Sequence, residues 1–118
     1  MNSNRKGKVG ERELAKILRE YGYDCRRTQQ YAGKVEDSAD IVGLPYIHIE
    51  CKRVQALNID NAMSQAIRDC QDRLPTVFHR KNNSPWLVTM RLQDWITVYN
   101  IFYGELYLQD KERNKEGV

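Results

Sequence analysis

The pattern of apolar and polar positions along the chain predicts three helices and a set of short strands. Apolar residues recur three and four positions apart in three segments, as they do on one face of a helix. The predicted helices are residues 4–21, 59–73 and 92–102. Short apolar or alternating segments, bounded by Gly, Pro and Asn, predict strands over residues 23–28, 75–79 and 86–90 and a hairpin over 39–53. The resulting order, α-β-β-β-α-β-β-α, indicates an α/β fold in which helices flank a mixed sheet.

Three segments carry more specific expectations. The apolar residues 86–90 predict a buried strand, whereas the polar residues 29–38 predict a flexible loop. The charged residues from about 110 to 118 predict a flexible tail. We expect residues 1–118 to form one domain.

The first predicted helix carries a carboxylate beside its apolar stripe. The stripe consists of Leu14, Ile17, Leu18 and Tyr21. Glu11 lies at the edge of this stripe, where a carboxylate costs free energy unless it is paired or binds a metal. Alternatively, Glu11 reaches solvent near the start of the helix, where the helix dipole favours it. Glu13 and Glu20 are expected to point into solvent on the opposite side.

The predicted hairpin brings titratable side chains together. A Gly-Leu-Pro turn joins its strands, and the antiparallel register places Asp40 opposite Ile49 or Glu50. Directly opposed Cβ atoms lie about 4.5–5.5 Å apart, so two carboxylates in this register can hold one hard cation. Because side chains alternate along a strand, His48, Glu50 and Lys52 share one polar face.

This polar face has two interpretations. Two carboxylates and a lysine suggest a divalent-metal site that hydrolyses phosphodiesters. The alternative is an amphipathic strand whose polar face is solvated and forms ordinary ion pairs. The opposite face, formed by Ile47, Ile49 and Cys51, is apolar. The second acid in register, together with Glu11 on the first helix, favours the metal site.

Composition narrows the class of protein. The chain has 118 residues, of which 41% are hydrophobic, and contains no apolar segment typical of a membrane span or a signal peptide. Cys25, Cys51 and Cys70 are odd in number and widely spaced, which predicts small buried side chains in a reducing cytoplasm. The first 30 residues hold eight Lys and Arg against four Asp and Glu. This excess fits either a polyanionic partner or an ordinary solubilising surface.

Three segments taken together resemble the PD-(D/E)xK nucleases, most of all the archaeal-type Holliday junction resolvases and their small phage relatives. The segments are RKGKVGEREL (residues 5–14), SADIV (38–42) and IECK (49–52). The resemblance covers roughly residues 4–90 and implies a restriction-endonuclease-like fold. Ala39 stands where the family often has a proline before the aspartate. Thr28 is the best match to a serine that the resolvases carry after the first strand.

The resemblance also implies the chemistry of the site. Asp40, Glu50 and the Cys51 carbonyl would bind Mg²⁺, or Mn²⁺ in its place, and Glu11 would complete the site. Lys52 would orient the attacking water or stabilise the transition state, with a general-base role as an alternative. The catalytic candidates are therefore Glu11, Asp40, Glu50 and Lys52.

A glutamine on the second helix supports the site in related nucleases, and Gln65 is the residue here that matches it. Its position off the apolar stripe of that helix nevertheless predicts solvent exposure.

DNA is the partner that the resemblance implies, with binding through charge and shape. The candidates for DNA contacts are Arg5, Lys6, Lys8, Arg12, Arg26, Arg27, Thr28, Arg53 and Lys81. Paired incision of a two-fold symmetric four-way junction requires two active sites, which a homodimer supplies. Candidate interface residues are Tyr99, Phe102, Tyr103 and Tyr107. Alternatively, these aromatic side chains cover the core of the monomer.

The expected function is therefore metal-dependent, structure-selective DNA cleavage that resolves Holliday junctions or other branched DNA in the cytoplasm of a phage host. One alternative is a nicking or restriction-type nuclease that acts on other DNA. Another is a nucleic-acid-binding protein of the same fold without cleavage, against which the presence of all four catalytic candidates argues.

Overall fold

The computed structural model describes the backbone of residues 3–31, 34–35 and 37–116 and the side chains of residues 7–29 and 37–115. The helices are α1 (Ser3–Glu20), α2 (Ile59–Asp69) and α3 (Leu92–Glu116). The strands are β1 (Arg26–Arg27), β2 (Gln30–Tyr31), β3 (Lys34–Val35), β4 (Ile41–Val42), β5 (Ile47–Arg53), β6 (Leu74–Arg80) and β7 (Leu87–Met90). Five strands form a sheet in the order β1-β4-β5-β6-β7, and β2 pairs with β3 in a separate ribbon.

The main sheet confirms the predicted α/β architecture. β5 and β6 are parallel, whereas the other neighbouring strands are antiparallel, so the sheet is mixed. Along the chain, its strands and the helices follow the predicted order α1-β1-β4-β5-α2-β6-β7-α3. α2 joins the parallel strands β5 and β6, as the crossover between parallel strands requires.

Helices cover both faces of the central strand β5. On one face, Ile49 belongs to a cluster with Leu14 of α1, whereas on the other face Ala62 and Ala66 of α2 pack on Val77 of β6. Residues 48–51 of β5 are all buried. A polar side chain on either face of β5 is therefore removed from water and needs a partner inside the protein.

Two glycines permit the close contacts that this packing contains. A Cβ atom on Gly10 of α1 would lie 2.6 Å from the Cβ of Arg53, so any side chain there would push α1 away from β5. Gly43, between β4 and β5, has φ of +113° and lies too close to the backbone of Asp24 for a side chain. Gly10 thus permits α1 to approach β5, the strand that carries Glu50, whereas Gly43 permits the segment before β1 to approach the turn between β4 and β5.

The structure corrects three expectations about the elements. Residues 29–38 were predicted as a loop because they lack apolar alternation. They contain β2 and β3, which pair through their main chains and do not need that alternation. β7 was predicted to be buried, but its Leu87 and Val88 side chains are 55% and 57% exposed because β7 is an edge strand. Tyr21 follows the end of α1 and is 77% exposed, so the buried stripe of α1 ends before it.

α3 extends away from the sheet and makes few contacts with the rest of the chain. The described chain measures 63 × 34 × 27 Å, with a radius of gyration of 17.2 Å. A compact chain of this length would have a radius of gyration of about 13.5 Å. The segment from residue 110 was expected to be a flexible tail. It is helical through Glu116. Its flexibility stays a prediction. The organisation as one domain likewise stays an expectation.

The three cysteines are free and buried, as predicted. Burial raises the pKa of the Cys25 and Cys51 thiols, which keeps them neutral within the core beneath α1. In the part of the chain that the structure describes, no helix has the length and apolar character needed to cross a membrane.

Candidate active site

The register of β4 and β5 places Asp40 beside Glu50. Ile41 pairs with Ile49, and the Asp40 main-chain N–H donates to the Ile49 carbonyl at 2.9 Å. Asp40 therefore lies opposite Glu50, within the predicted register. The Asp40 Oδ2 atom accepts a 2.8 Å hydrogen bond from the Cys51 main-chain N–H, which holds this carboxyl group against the edge of β5.

The electrostatic environment of Asp40 opposes its negative charge. Burial raises the pKa of the Asp40 carboxyl to about 7, and the neighbouring charges of Glu50 and Glu11 act in the same direction. The Cys51 N–H and the Lys52 ammonium oppose this rise in pKa without cancelling it. Since like charges in a site of low polarity destabilise each other, the arrangement favours a cation between the carboxyl groups.

Glu50 is completely buried and has one oxygen atom without a partner. Its Oε1 atom lies 2.9 Å from Nε2 of His48, which is also completely buried. Its Oε2 atom is buried and has no hydrogen-bond partner among the described residues. A buried oxygen of this kind costs free energy unless a ligand or a solvent molecule binds it.

A chain of polar side chains leads from His48 to the surface. His48 Nδ1 lies 3.4 Å from a guanidinium nitrogen of Arg73, which follows α2. Arg73 in turn donates two hydrogen bonds to Asp37, at 3.1 Å and 2.9 Å. Asp37 also accepts a 2.8 Å hydrogen bond from the main-chain N–H of Ala39, the residue before Asp40. Asp37 and Arg73 were missed from the sequence, because 36 residues separate them and neither belongs to a motif.

Glu11 lies near the two acids but forms an ion pair of its own. Its Oε2 atom accepts a 2.8 Å hydrogen bond from Nε of Arg27 on β1. Its negative charge nevertheless contributes to the raised pKa of Asp40, so the two carboxyl groups share one electrostatic environment. The structure thus brings Glu11, Asp40 and Glu50 into one region and pairs Glu11 with a DNA-binding candidate.

Glu13 does not point into solvent as predicted. It forms an ion pair with Arg80 and accepts a 2.9 Å hydrogen bond from the Trp86 indole N–H. Burial acts to raise the pKa of the Glu13 carboxyl. The hydrogen bonds from Trp86 and Arg80, together with the charges of Arg80 and Arg53, outweigh burial and hold this pKa below its ordinary value. The prediction was wrong because the connection between β6 and β7 folds over that side of α1, which a helical wheel cannot show.

Lys52 and Gln65 meet on the α2 face of the sheet. The Lys52 ammonium donates a 3.2 Å hydrogen bond to Oε1 of Gln65. Gln65 is half-buried, so the expectation of solvent exposure was wrong. It was wrong because α2 turns this side chain toward the end of β5, where a polar partner is present. A neutral oxygen on the ammonium group fixes the direction of the Lys52 side chain.

The donor set fits a hard divalent cation through its carboxylate oxygens. Asp40 and the free Oε2 atom of Glu50 are ligands that Mg²⁺ prefers. Since the N–H and C=O groups of one strand residue point to the same side, the Cys51 carbonyl faces the edge on which Asp40 lies. Within the described residues, no group of three or more His, Cys, Asp and Glu side chains forms a metal-holding cluster. A complete coordination sphere would therefore need main-chain, water or DNA oxygens.

Comparisons with known proteins identify the family. Residues 2–117 match the family model described as "Phage putative PDDEXK endonuclease". The chain belongs to this family. A search of curated proteins and a search of solved structures each found no match. The family model spans nearly the whole chain and therefore includes α3 as well as the sheet.

Several basic side chains of this nuclease-family member line one cleft beside Glu11. The cleft has a volume of about 330 Å³ between α1 and the β1 segment. It is lined by Arg12, Ala15, Arg19, Arg26, Arg27, Thr28 and Gln29. Four of these residues are the predicted candidates Arg12, Arg26, Arg27 and Thr28. Arg19 was not a candidate, and its guanidinium group donates a 2.8 Å hydrogen bond to the main-chain carbonyl of Cys25. Thr28 also donates to the main-chain carbonyl of Asp40 through its N–H at 3.2 Å.

The other candidates for DNA contacts are more scattered. Lys8 and Lys81 are exposed, and the side chains of Arg5 and Lys6 lie outside the described residues. Arg53 donates a 2.7 Å hydrogen bond to Asn82 and also lies near Glu13, so part of its role is structural.

Proposed function

We propose that this protein is a metal-dependent endonuclease that hydrolyses phosphodiester bonds of DNA. The observation that supports this most directly is the Asp40–Glu50 pair, in which Glu50 Oε2 is buried and has no hydrogen-bond partner in the described part of the chain. Burial and neighbouring negative charge raise the pKa of Asp40, which adds a reason for a cation at this position. Membership of the phage PDDEXK family supplies the reaction class.

In the proposed mechanism, Asp40, Glu50 and the Cys51 carbonyl would hold Mg²⁺, for which Mn²⁺ could substitute. When bound, the cation would activate a water molecule and neutralise the charge that develops on the phosphate. Lys52, directed by Gln65, would donate a hydrogen bond to the attacking water or to a phosphate oxygen. Water attack at phosphorus would break one P–O bond, and a proton would pass to the leaving oxygen.

Glu11 and Arg27 would link catalysis with DNA binding. Their 2.8 Å ion pair places an arginine between the acidic site and the basic cleft. A phosphate that approached Arg27 would compete with Glu11 for the guanidinium group. Glu11 would then be free to complete the metal site, together with water oxygens.

The proposed DNA substrate is a four-way junction or another branched structure, cleaved in the host cytoplasm by a homodimer. This substrate rests on the resemblance to junction resolvases. Paired cleavage of such a junction needs two active sites, which a homodimer would supply. The exposed apolar side chains of α3 support a dimer, because a second copy could cover them. The four aromatic candidates on α3 are 42% to 59% exposed, so they do not cover the core of the monomer.

α3 would form the dimer interface with a second copy. Exposed large apolar side chains lie on several sides of this helix, and five of them recur at alternating intervals of three and four residues, as in a coiled coil. They are Leu92, Trp95, Tyr99, Phe102 and Leu106, each at least 42% exposed. Sedimentation of the wild-type chain and a Tyr99→Ser/Phe102→Ser double variant tests this interface. We expect a dimer and a monomer respectively, and a monomeric wild-type chain would contradict the proposed dimer.

The nuclease proposal is tested by incubating the protein with a synthetic four-way junction and with a linear duplex of the same sequence. Each substrate is tested with Mg²⁺ and with EDTA. We expect Mg²⁺-dependent cleavage of the junction and little cleavage of the duplex. Equal cleavage of both substrates would favour the nicking or restriction-type alternative. Binding without any cleavage would favour the non-catalytic alternative.

A further inference from the structure

Glu50 is completely buried, and one of its two carboxyl oxygens has a defined partner, His48. His48 lies on the same face of β5, two residues earlier, and its Nε2 atom is 2.9 Å from Glu50 Oε1. Both side chains are completely buried, so the imidazole and the carboxyl group have few alternative partners. The hydrogen bond therefore determines which oxygen of Glu50 is occupied and which is free.

The partner of the other ring nitrogen determines the direction of that hydrogen bond. An arginine has only donor groups, so the Arg73 nitrogen 3.4 Å from His48 Nδ1 requires a lone pair on Nδ1. In the neutral imidazole the proton then resides on Nε2, and Nε2–H donates to Glu50 Oε1. Arg73 thus selects the ring tautomer that can stabilise the Glu50 carboxylate.

Asp37 holds Arg73 in this orientation and also contacts the segment that carries Asp40. Its two oxygens accept from Arg73, and its Oδ1 atom also accepts from the Ala39 N–H. A second bond, from Ser38 Oγ to the Asp69 carbonyl at 2.9 Å, fixes the same segment to the end of α2. Asp37 is therefore linked to Glu50 through Arg73 and His48, and to Asp40 through the main chain of Ala39.

We propose that Asp37, Arg73 and His48 are positioning residues that fix Glu50 with its Oε2 atom free for the metal and hold Asp40 in register with it. This inference rests on the proposed function, because it assigns the free oxygen to a metal. Partners of this kind beyond the ligands orient metal-binding side chains, and their loss commonly weakens metal binding about 10- to 100-fold. Ser38 contributes only to the Asp40 side of this arrangement.

The first test follows the His48 tautomer by ¹⁵N NMR of the imidazole in metal-free protein. We expect the wild-type ring to carry its proton on Nε2 alone and the Arg73→Met variant to show a mixture of tautomers. A wild-type ring with the proton on Nδ1 would overturn the proposal. This measurement does not depend on metal binding or on cleavage.

The second test is calorimetric titration of Mn²⁺ into wild-type, Arg73→Met and Asp37→Ala proteins. We expect each variant to bind Mn²⁺ about 10- to 100-fold more weakly, and Asp37→Asn, which keeps an oxygen for Ala39 and Arg73, to bind more tightly than Asp37→Ala. Arg68→Met is the matched control, because the Arg68 side chain is 70% exposed on α2. It should bind like the wild type.

The outcomes separate this proposal from the proposed function. Cooperative urea unfolding identifies the variants that are folded. If these variants bind Mn²⁺ as tightly as the wild type, the positioning role is overturned but the proposed metal site is not. Failure of the wild-type protein to bind Mn²⁺ would contradict the metal site itself and, with it, this role. If Arg73→Met does not fold, the Asp37 variants and the wild-type tautomer decide the question.

Discussion

The two faces of strand β5 are equally buried but have different composition. Ile49 and Cys51 face α1 within an apolar cluster, whereas His48 and Glu50 face α2 and are completely buried despite their polarity. The apolar face stabilises the fold through burial. The polar face carries a raised pKa at Asp40 and an oxygen of Glu50 that no described residue hydrogen-bonds, and both features lower stability. A strand that retains such costs at its centre is typical of a functional site.

The largest expected effect is on the polar face. Glu50→Gln removes the charge of the side chain whose Oε2 atom would bind the metal, so we expect Mg²⁺-dependent DNA cleavage to fall on the order of 10²- to 10³-fold. Single-turnover cleavage of a labelled junction measures this loss. Glu20→Gln is the control, because Glu20 is exposed at the end of α1. A Glu50→Gln variant with wild-type activity would remove the functional difference between the two faces.

The apolar face should respond in the opposite way. Ile49 is 0% exposed, and truncation to alanine leaves a cavity beneath α1, so we expect Ile49→Ala to lower the free energy of unfolding by about 2–5 kcal/mol. The folded variant should retain most of its cleavage activity. Urea unfolding and cleavage assays on the same preparation check both statements. Ile67→Ala, at a 40% exposed position, should cost much less, and an equal cost at both positions would contradict the assigned core.

Stability without metal should depend on pH through Asp40. Its folded pKa of about 7 lies above the ordinary value of 3.8, so its contribution is fully present below about pH 4 and lost as pH rises through about 7. We expect the metal-free wild-type protein to be about 1–4 kcal/mol less stable at pH 8 than at pH 5 because of this group. Asp40→Asn should lack this part of the dependence. Urea unfolding at both pH values measures it, and identical pH profiles would contradict the assigned environment of Asp40.

Gln65 should give the smallest effect. Gln65→Ala removes the 3.2 Å hydrogen bond that directs Lys52, and we expect cleavage to slow about 2- to 10-fold with little change in DNA affinity. Single-turnover rates and DNA-binding isotherms separate the two quantities. Gln93→Ala is a suitable control at an exposed glutamine in the first turn of α3. An unchanged rate would show that Lys52 needs no partner on α2.

The sequence predicted the parts of the site that follow from local geometry. The opposition of Asp40 and Glu50 follows from the turn at Gly43 and from the two-residue period of a strand. The separation of His48 and Glu50 from Ile49 follows from the same period. Both features depend only on residues that are close together in the sequence, so they can be predicted from the order of apolar and polar residues.

Other features depend on contacts between distant segments. Asp37 meets Arg73 only because the segment before β4 and the end of α2 come together, which no spacing reveals. Glu13 was assigned to solvent because its helical position does not show that Trp86 lies above it. Likewise, the apolar residues of β7 predicted burial, but they are exposed because β7 lies at the edge of the sheet. Such contacts are set by tertiary packing, not by local periodicity.

We propose that Asp40 and the polar face of β5 form a nuclease site. The most direct test compares wild-type and Asp40→Asn proteins on the same branched DNA. Both are incubated with Mg²⁺ and with EDTA, after urea unfolding has shown that both are folded. We expect cleavage by the wild-type protein with Mg²⁺ only and no detectable cleavage by the variant. Cleavage by Asp40→Asn at the wild-type rate would contradict the site proposed here.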